Sequence, residues 1–333
     1  MAQKPQLVCL DSDDLMHPNT GEENYNESAY YNFYDASERV GGFCRLGNRP
    51  NEGQAEMTLC LYLPDGSAAF MFARPTIDGN DRFDAAGMSF VVEEPMRLHR
   101  IRYAGTACHL RRPLDLLDPK AAFTSNPHVP VSLDLRYAAA AKVHGGEPRE
   151  QVDGRWVSVQ RERSGQEFAR GHLEQHGHAT GRLVVGEREW RIDGYGLRDR
   201  SWGPRYWQAP DHYRWLTMNF GADAGIAAAR TVQRDGTVMQ GGFLWKPGVE
   251  SRVIVAAEVE TEYGGADRLH ASLRARLTTD DGGVETVTGR VLAMVPLRNR
   301  RQGVTTRIAE GLTEWRWDDR VGYGWSEYLD HVG

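Results

Sequence analysis

The sequence has few cysteines, and none of them stands at a metal-binding spacing. Its four cysteines, Cys9, Cys44, Cys60 and Cys108, are far apart and form no C-x-x-C pair. Neither a zinc knuckle nor a dense disulfide framework is indicated, so we expect scattered, reduced thiols. No run approaches the roughly 18 apolar residues of a membrane span, and the first residues lack a signal-peptide core. The sequence therefore predicts a cytoplasmic protein without membrane insertion.

The sequence also lacks the common nucleotide-binding and hydrolase motifs. It has no G-x-G-x-x-G after a strand, no G-x-x-x-x-G-K-[ST], no H-E-x-x-H and no G-x-S-x-G. Dinucleotide, nucleoside triphosphate, zincin and serine-hydrolase functions are therefore not supported. With 46 acidic and 40 basic residues the net charge is −6, which gives no general attraction to nucleic acid. We expect no cofactor and no nucleic-acid partner.

Helical periodicity is scarce, whereas short alternating runs recur along the chain. Outside 114–123 no segment shows a convincing apolar stripe at helical spacing. Apolar and polar residues alternate over Met57–Leu63, for example, and Pro64-Asp65-Gly66 then turns the chain into a second strand. Turns every 8–12 residues are typical of barrels and sandwiches. The pattern predicts an all-β protein with few helices.

The length of 333 residues exceeds that of most single cores and predicts two β domains. We place them at 1–188, beginning with an irregular arm over 1–26, and at 189–333. The segment 111–129 holds three prolines and no alternation. It is interpreted as a long excursion, either a lid over a barrel mouth or a plain loop.

The segment Trp190–Phe220 combines eight aromatic residues with nine charged or histidine residues. Its glycines and prolines exclude a regular helix and predict a loop between strands, where sites are often built. Asp199, between Arg198 and Arg200, is the first candidate for a catalytic acid, because burial and guanidinium charge together tune a carboxyl. The alternative is a structural ion-pair cluster of Arg198, Asp199 and Arg205.

Histidines supply the other candidate groups. His172, His176 and His178 share one parity, so a strand would project them from one face. They are weak candidates for a metal site, and a polar strand face or a proton shuttle are the alternatives. His212 is a candidate acid or base, but a direct dyad with Asp211 is not expected, since adjacent residues of a strand point apart.

Three stretches resemble a known family. The segment 196–203, GLRDRSWG, looks like the G-x-x-x-D-x-x-W/F-G signature of the AttH-like and carotenoid-hydratase-like superfamily. The segment 26–31, NESAYY, is similar to the opening of that family's first domain, and 310–311 with 322–328 are similar to its closing strands. Relatives often carry His and Glu after the motif Asp, where this chain has Arg200 and Ser201. The resemblance implies two lipocalin-like antiparallel β-barrel or sandwich domains in tandem.

The resemblance also implies an enzyme that acts on a hydrophobic small molecule of terpenoid, carotenoid or polyketide type, in a cavity near the domain junction. The first hypothesis is a cofactor-independent hydratase or dehydratase (a lyase), and an isomerase or cyclase of the pericyclase type is the second. A non-enzymatic carrier of a hydrophobic ligand is the third hypothesis. The sequence leaves open whether the protein forms a homodimer. The expected catalytic residues are Asp199, His212, Glu27 and Tyr30. The expected substrate-binding residues are Tyr31, Arg198, Trp202, Tyr206, Trp207, Trp215 and Glu327.

Overall fold

The protein is built almost entirely of antiparallel strands. The structure is a computed structural model that describes residues 5–159, 169–206, 209–301 and 303–332. About 68% of the described residues are strand and 6% helix, which confirms the predicted all-β class with few helices. Within these ranges, no helix has the length and apolar character needed to cross a membrane.

Thirteen strands of the first part of the chain belong to one antiparallel sheet. They are β1 (Gln6–Val8), β2 (Tyr25–Asp35), β3 (Val40–Arg49), β4 (Gln54–Tyr62), β5 (Ala68–Ala73), β6 (Phe83–Ala85), β7 (Met88–Glu94), β8 (Leu98–Leu110), β9 (His128–Ala139), β10 (His144–Val152), β11 (Arg155–Ser158), β12 (Gly171–Val185) and β13 (Arg188–Pro204). Because β9 pairs with both β8 and β12, eight of these strands close into a ring. The apolar side chains inside this ring form one core.

The second part of the chain forms a closed barrel of eight strands in sequential order. They are β14 (Pro210–Asn219), β15 (Gly225–Gln233), β16 (Val238–Trp245), β17 (Arg252–Gly264), β18 (Leu269–Thr279), β19 (Val284–Arg301), β20 (Val304–Trp317) and β21 (Arg320–Val332). Its interior is filled by apolar side chains that alternate with outward-facing ones along each strand. The two closed sheets fit the expected pair of lipocalin-like domains.

Short helices occupy three connections. They are 3-10 turns at Asp11–Asp14, Pro50–Glu52 and Pro113–Leu117, and the α-helix α1 (Pro119–Ser125). Asp118 caps α1 by accepting a hydrogen bond from the backbone N–H of Ala121 at 3.1 Å. The excursion 111–129 therefore contains helical turns, and Pro113–Leu117 packs against β19 of the second barrel.

Two expectations about the central segment differ from the structure. The motif 196–203 lies in the long strand β13 and not in a loop, and β13 pairs with β12 and β2. The division between the two sheets consequently falls between Pro204 and Pro210, whereas the sequence led us to place a domain division at 188/189. Gly196 was interpreted as a loop signal, but it allows two strands to pack closely. A Cβ at this position would lie 1.8 Å from the carbonyl oxygen of Asn32.

The two barrels pack against each other through their outer faces. One apolar cluster joins Tyr62, Phe70 and other residues of the first sheet to Val295, Leu312 and Trp325 of the second barrel. A hydrogen bond also crosses this interface: the Tyr62 hydroxyl donates to the Glu310 carbonyl oxygen at 2.6 Å. An apolar seam of this kind fixes the relative position of the barrels.

A buried ion cluster ties the N-terminal arm to the first barrel. Arg198 Nη1 lies 2.6 Å from Asp14 Oδ1, and its Nε donates to Gln175 Oε1 at 2.8 Å. Arg200 Nη2 lies 2.8 Å from Glu27 Oε1. All of these side chains are almost fully buried, so each charge depends on its partner.

This cluster predicts a large loss of stability when one partner is removed. Arg198→Met should lower the free energy of unfolding by about 3–5 kcal/mol, because Asp14 and Gln175 would be left buried and unsatisfied. The matched control is Arg182→Met, whose exposed partner is Glu189; the change there should be at most about 1 kcal/mol. Denaturant titrations followed by circular dichroism measure both values. Equal effects of the two substitutions would contradict the structural role.

Candidate active site between the two barrels

A cavity of about 1650 Å³ lies between the outer faces of the two barrels. Both barrels contribute aromatic and titratable side chains to its wall. Those from the first sheet include Tyr30, Phe43, Arg45, Phe70, His172, Glu174, Asp199 and Arg205, and those from the second barrel include Tyr213, Trp215, Leu297, Glu310 and Glu327. Leu116 and Phe123 of the excursion 111–129 also line it. Its position agrees with the expected cavity at the domain junction.

Strand register aligns the titratable groups of the first wall. Asp199 on β13 stands opposite Glu174 on β12 and Tyr30 on β2, and Tyr30 in turn stands opposite Arg45 on β3. Directly opposed residues of neighbouring antiparallel strands project from the same face. The four side chains therefore form a row across four strands, on the outer face of the first barrel.

A second row crosses the facing wall. Glu327 on β21 stands opposite Trp215 on β14 and Glu310 on β20. The two rows meet at one point, where the indole Nε1 of Trp215 donates a hydrogen bond to Glu174 Oε1 at 2.5 Å. The carboxyl groups of the two barrels are thereby brought to one cavity.

Asp199 and His172 form an ion pair on the first wall, with His172 Nε2 hydrogen-bonded to Asp199 Oδ2. Burial alone would raise the pKa of Asp199, but the charge and hydrogen bond of His172 bring it below its ordinary value of 3.8. Burial alone would lower the pKa of His172, yet the charge of Asp199 raises it to about 9. At neutral pH the pair consists of a carboxylate and an imidazolium.

Glu310 and Glu327 form a carboxyl pair on the second wall. Burial and then the negative charge of Glu327 raise the pKa of Glu310 well above its ordinary value of 4.5. Burial also raises the pKa of Glu327, against the hydrogen bonds from Tyr213 and Glu310. Asp199 contributes to the same shift, so its carboxylate is within electrostatic reach. Two buried carboxyls side by side cannot both ionise readily, so the pair retains a proton near neutral pH.

Tyr30 and Trp215 lie between the two charged pairs. Their rings meet edge to face with centroids 5.4 Å apart, and Tyr30 also stacks on Phe43 at 5.6 Å. The Tyr30 hydroxyl is buried and has no hydrogen-bond partner among the described residues. A buried hydroxyl without a partner at a cavity wall is available to a ligand or to water.

Among the described residues, His172, Glu174 and Asp199 could hold a metal ion, because their ligand atoms lie within 4.8 Å of one another. The ion pair and the Trp215 hydrogen bond account for their placement without one. The weaker candidates His176 and His178 are separated: His176 Nδ1 contacts Asn219 Oδ1 at 2.7 Å, whereas His178 contacts Asp193. Burial lowers the pKa of His176 to about 4.

Four of the expected site residues lie away from the cavity. Tyr31 packs inside the first barrel against Phe90 and Tyr137. Trp202 is 2% exposed and stacks on His17, with ring centroids 4.0 Å apart. The other two, Arg198 and Glu27, belong to the buried ion cluster. The physical reason is strand alternation, which sends Arg198 and Arg200 to one face of β13 and Asp199 to the other.

Two further candidates have different positions from those expected, and a third is not among the described residues. His212 Nδ1 lies 2.8 Å from Asp211 Oδ2, so the adjacent residues do pair, on the surface and at an irregularity of β14. The expectation that they would point apart is therefore wrong, because a bulge breaks the alternation. Tyr206 is 36% exposed and is not part of the cavity wall. Trp207 lies outside the described residues.

The sequence predicts Asp199, Tyr30, Trp215 and Glu327 as site residues, and the structure places all four on the cavity wall. Glu174 and Arg45 were not predicted, and Glu310 entered only through the family resemblance. The alternation of side chains along β12 could have identified Glu174, because residues two positions apart, such as His172 and Glu174, share one face of a strand. Arg45 could not be found, because its neighbours across the sheet come from distant parts of the chain.

The fold and the cavity define a protein of two lipocalin-like barrels with a titratable site between them. The chain belongs to the family described as a domain of unknown function, DUF7064, whose model matches residues 10–332. No curated protein matches it in sequence.

Three solved structures share the fold. A protein given as AttH from Nitrosomonas europaea has 12% identity and a TM-score of 0.62, with 93% of each chain covered. CghA with Sch210972 has 12% identity and a TM-score of 0.56, covering 93% of this chain and 88% of that one. Kievitone hydratase from Nectria haematococca has 11% identity and a TM-score of 0.57, covering 99% and 97%. These likenesses confirm the expected AttH-like resemblance at the level of the fold.

The ion pair predicts a measurable titration. Asp199→Asn should lower the pKa of His172 from about 9 toward its ordinary value of 6.5, because the charge and hydrogen bond of Asp199 are the main causes that raise it. Imidazole chemical shifts followed by NMR against pH report the value. Asp193→Asn, which removes the carboxyl beside His178, is the control and should leave His172 unchanged. A His172 pKa near 9 in Asp199→Asn would refute the pairing.

Proposed function

We propose that the protein is an enzyme, a cofactor-independent hydratase or dehydratase that acts on a hydrophobic small molecule in the cavity between the barrels. The observation that carries the proposal is the pairing of a proton-retaining carboxyl pair, Glu310–Glu327, with an anionic carboxylate, Asp199, on facing walls of one cavity. Environments that push two carboxyls apart in pKa provide an acid and a base at the same pH.

Glu310 is the proton donor in this proposal. Its proton passes to one carbon of a C=C bond, and the π electrons form the new C–H bond and leave a carbocation on the neighbouring carbon. The faces of Tyr30 and Trp215 stabilise that cation through their ring quadrupoles. The positive charge of Arg45, which lowers the pKa of Glu310, stabilises the charge left on Glu310.

Asp199 is the proton acceptor. Water adds to the cation, and the proton that it loses passes to the Asp199 carboxylate, so that the net change is addition of H₂O. His172 keeps Asp199 ionised, and the Tyr30 hydroxyl, which has no hydrogen-bond partner among the described residues, orients the water. Dehydration follows the same steps in reverse. The hydratase name of one structural neighbour supports this class of reaction.

An isomerase or cyclase is the second candidate, favoured by the volume of the cavity and by the structure of CghA with a bound compound. Such an enzyme would mainly hold one reactive conformer. A carrier is less favoured, because a carrier has little use for buried titratable groups facing its ligand. The two enzymatic candidates differ in whether water enters the product.

Oxygen-isotope labelling separates these candidates. The purified protein is incubated in H₂¹⁸O with a hydrophobic extract of its source cells, and products are compared by mass spectrometry with and without protein. A hydratase yields products that gain labelled water, whereas an isomerase changes retention without a change in mass. No protein-dependent change in any compound would overturn the enzymatic proposal.

Substitution of the acid tests the mechanism once a substrate is identified. Glu310→Gln should lower turnover by about 10²–10⁴-fold, because the amide fills the same space but cannot give up a proton. The matched control is Glu314→Gln on the same strand, whose carboxylate pairs with Arg290 and Arg316 outside the cavity. Full activity of Glu310→Gln would exclude Glu310 as the acid.

The pH dependence follows from the same two groups. Hydration needs a protonated Glu310, so kcat/KM should fall as pH rises through its raised pKa, well above 4.5. It also needs an ionised Asp199, so kcat/KM should fall as pH drops through a pKa below 3.8. A pH–rate profile of the wild-type enzyme measures both limits. A value of kcat/KM that increases with pH from 4 to 8 would contradict the assignment of Glu310 as the acid.

A further inference from the structure

The Tyr30 hydroxyl is a buried hydrogen-bond donor at the wall of the cavity. Tyr30 is 6% exposed, and its hydroxyl has no hydrogen-bond partner among the described residues. A phenolic O–H that is removed from water and left unpaired costs free energy, so buried hydroxyls are nearly always hydrogen-bonded. The acceptor for this donor is therefore expected to come from a molecule that enters the cavity.

The protein acceptors near Tyr30 are hydrogen-bonded to other groups. Asn32 lies two residues along β2 on the same face, but its Oδ1 accepts from the backbone N–H of Leu197 at 2.8 Å. Glu327, on the facing wall, accepts a hydrogen bond from the Tyr213 hydroxyl. Burial raises the pKa of Tyr30 well above its ordinary value of 10, so the hydroxyl keeps its proton. The donor is thus available to a ligand.

The ring of Tyr30 is held in place, so its hydroxyl has a defined position. The ring stacks on Phe43 with centroids 5.6 Å apart and meets Trp215 edge to face at 5.4 Å. Tyr30 also stands directly opposite Asp199 of the neighbouring strand β13. A donor fixed among apolar rings makes a stronger hydrogen bond than one in open water. The site therefore places a strong donor next to the proposed proton acceptor.

A carbonyl oxygen fits this donor better than a hydroxyl does. A carbonyl accepts a hydrogen bond and brings no proton of its own, whereas a ligand hydroxyl adds a donor that needs an acceptor in turn. The carboxylates of the wall already accept hydrogen bonds, Asp199 from His172 and Glu327 from Tyr213. A carbonyl consequently satisfies Tyr30 and leaves no new buried donor unpaired.

We propose that the substrate is an α,β-unsaturated carbonyl compound and that the Tyr30 hydroxyl binds its carbonyl oxygen. The inference rests on the proposed function, since it takes Asp199 as the proton acceptor and Glu310 as the proton donor. In such a compound only the carbonyl carbon and the α-carbon separate the oxygen from the β-carbon that water attacks. Tyr30 and Asp199 are register partners on strands about 4.8 Å apart, which is a suitable spacing for these two atoms.

Addition of water then proceeds through an enolate. The water oxygen bonds to the β-carbon and gives a proton to the Asp199 carboxylate. The C=C π electrons form a new double bond between the α-carbon and the carbonyl carbon, and the C=O π electrons move onto oxygen. The Tyr30 hydrogen bond stabilises the negative charge on this oxygen. The enolate then reforms the C=O bond as its α-carbon takes the proton of Glu310, so the net change is addition of H₂O.

The order of these steps differs from that for an isolated C=C bond. Water adds before the carbon is protonated, and the charge that develops is negative and lies on oxygen. Tyr30 contacts the substrate and not the water in this case. The acid and the base are the same in both orders, and both carboxyl groups recover their starting state by proton exchange with solvent.

Two ligands of matched shape test the inference without turnover. 2-Acetylnaphthalene has a carbonyl group where 2-ethylnaphthalene has a methylene group. Equilibrium dialysis at neutral pH gives the dissociation constant of each compound. Tyr30→Phe removes only the hydroxyl and should weaken binding of the ketone, relative to the hydrocarbon, by about tenfold. Unchanged binding of the hydrocarbon shows that the variant is folded.

The carbonyl stretching frequency reports the hydrogen bond itself. Infrared difference spectra of bound 2-acetylnaphthalene, labelled with ¹³C at the carbonyl, should show a lower frequency in wild-type protein than in Tyr30→Phe, because a donated hydrogen bond weakens the C=O bond. Tyr263→Phe is the matched control, since Tyr263 is an exposed tyrosine of β17 outside the cavity. It should keep the wild-type spectrum.

Either measurement can overturn the inference. An equal carbonyl frequency in wild-type protein and Tyr30→Phe would do so, and so would an unchanged ratio of the two dissociation constants.

The carbonyl site and the hydratase reaction can fail separately. If ketone binding and carbonyl frequency depend on Tyr30 but labelled water enters no product, the carbonyl site stands and the hydratase proposal fails. If labelled water enters a product and neither measurement depends on Tyr30, the hydratase proposal stands and the carbonyl site is overturned.

Discussion

The packing of two closed sheets through their outer faces is the constraint on which the site depends. A lipocalin-like barrel fills its interior with apolar side chains, so its outer face is free to carry polar ones. Here both outer faces have an apolar patch that forms the seam and, next to it, a row of titratable residues. Once the apolar patches are in contact, the two rows face each other across a cavity that neither barrel could form alone.

Burial then differentiates groups that are chemically alike. Asp199 has a cationic partner in His172 and stays ionised, whereas Glu310 has another carboxyl as its neighbour and retains a proton. The difference arises from which strand stands opposite, because Glu310 and Glu327 are register partners on β20 and β21.

Alternation along β13 explains both the success and the failure of sequence reasoning about the central motif. Asp199 was identified because a carboxyl among aromatic residues is unusual, and it does face the cavity. Its neighbours Arg198 and Arg200 were expected to tune it, but period-two geometry places them on the opposite face, where they bind Asp14 and Glu27. Glycines and prolines were interpreted as a loop signal, although Gly196 allows two strands to approach closely. Composition alone cannot distinguish these two uses of glycine.

The sequence by itself determined the all-β class, the two-barrel architecture through its resemblance, and four residues of the site. These follow from local pattern, since alternation and turn residues act over a few positions. Only the tertiary structure decided which carboxyls are paired and that Glu27 belongs to a buried ion cluster. The reason is that register between strands far apart in the chain fixes these contacts: Arg45 meets Tyr30 and Tyr30 meets Asp199 across sheet neighbours up to 169 positions apart. No local pattern encodes such a pairing.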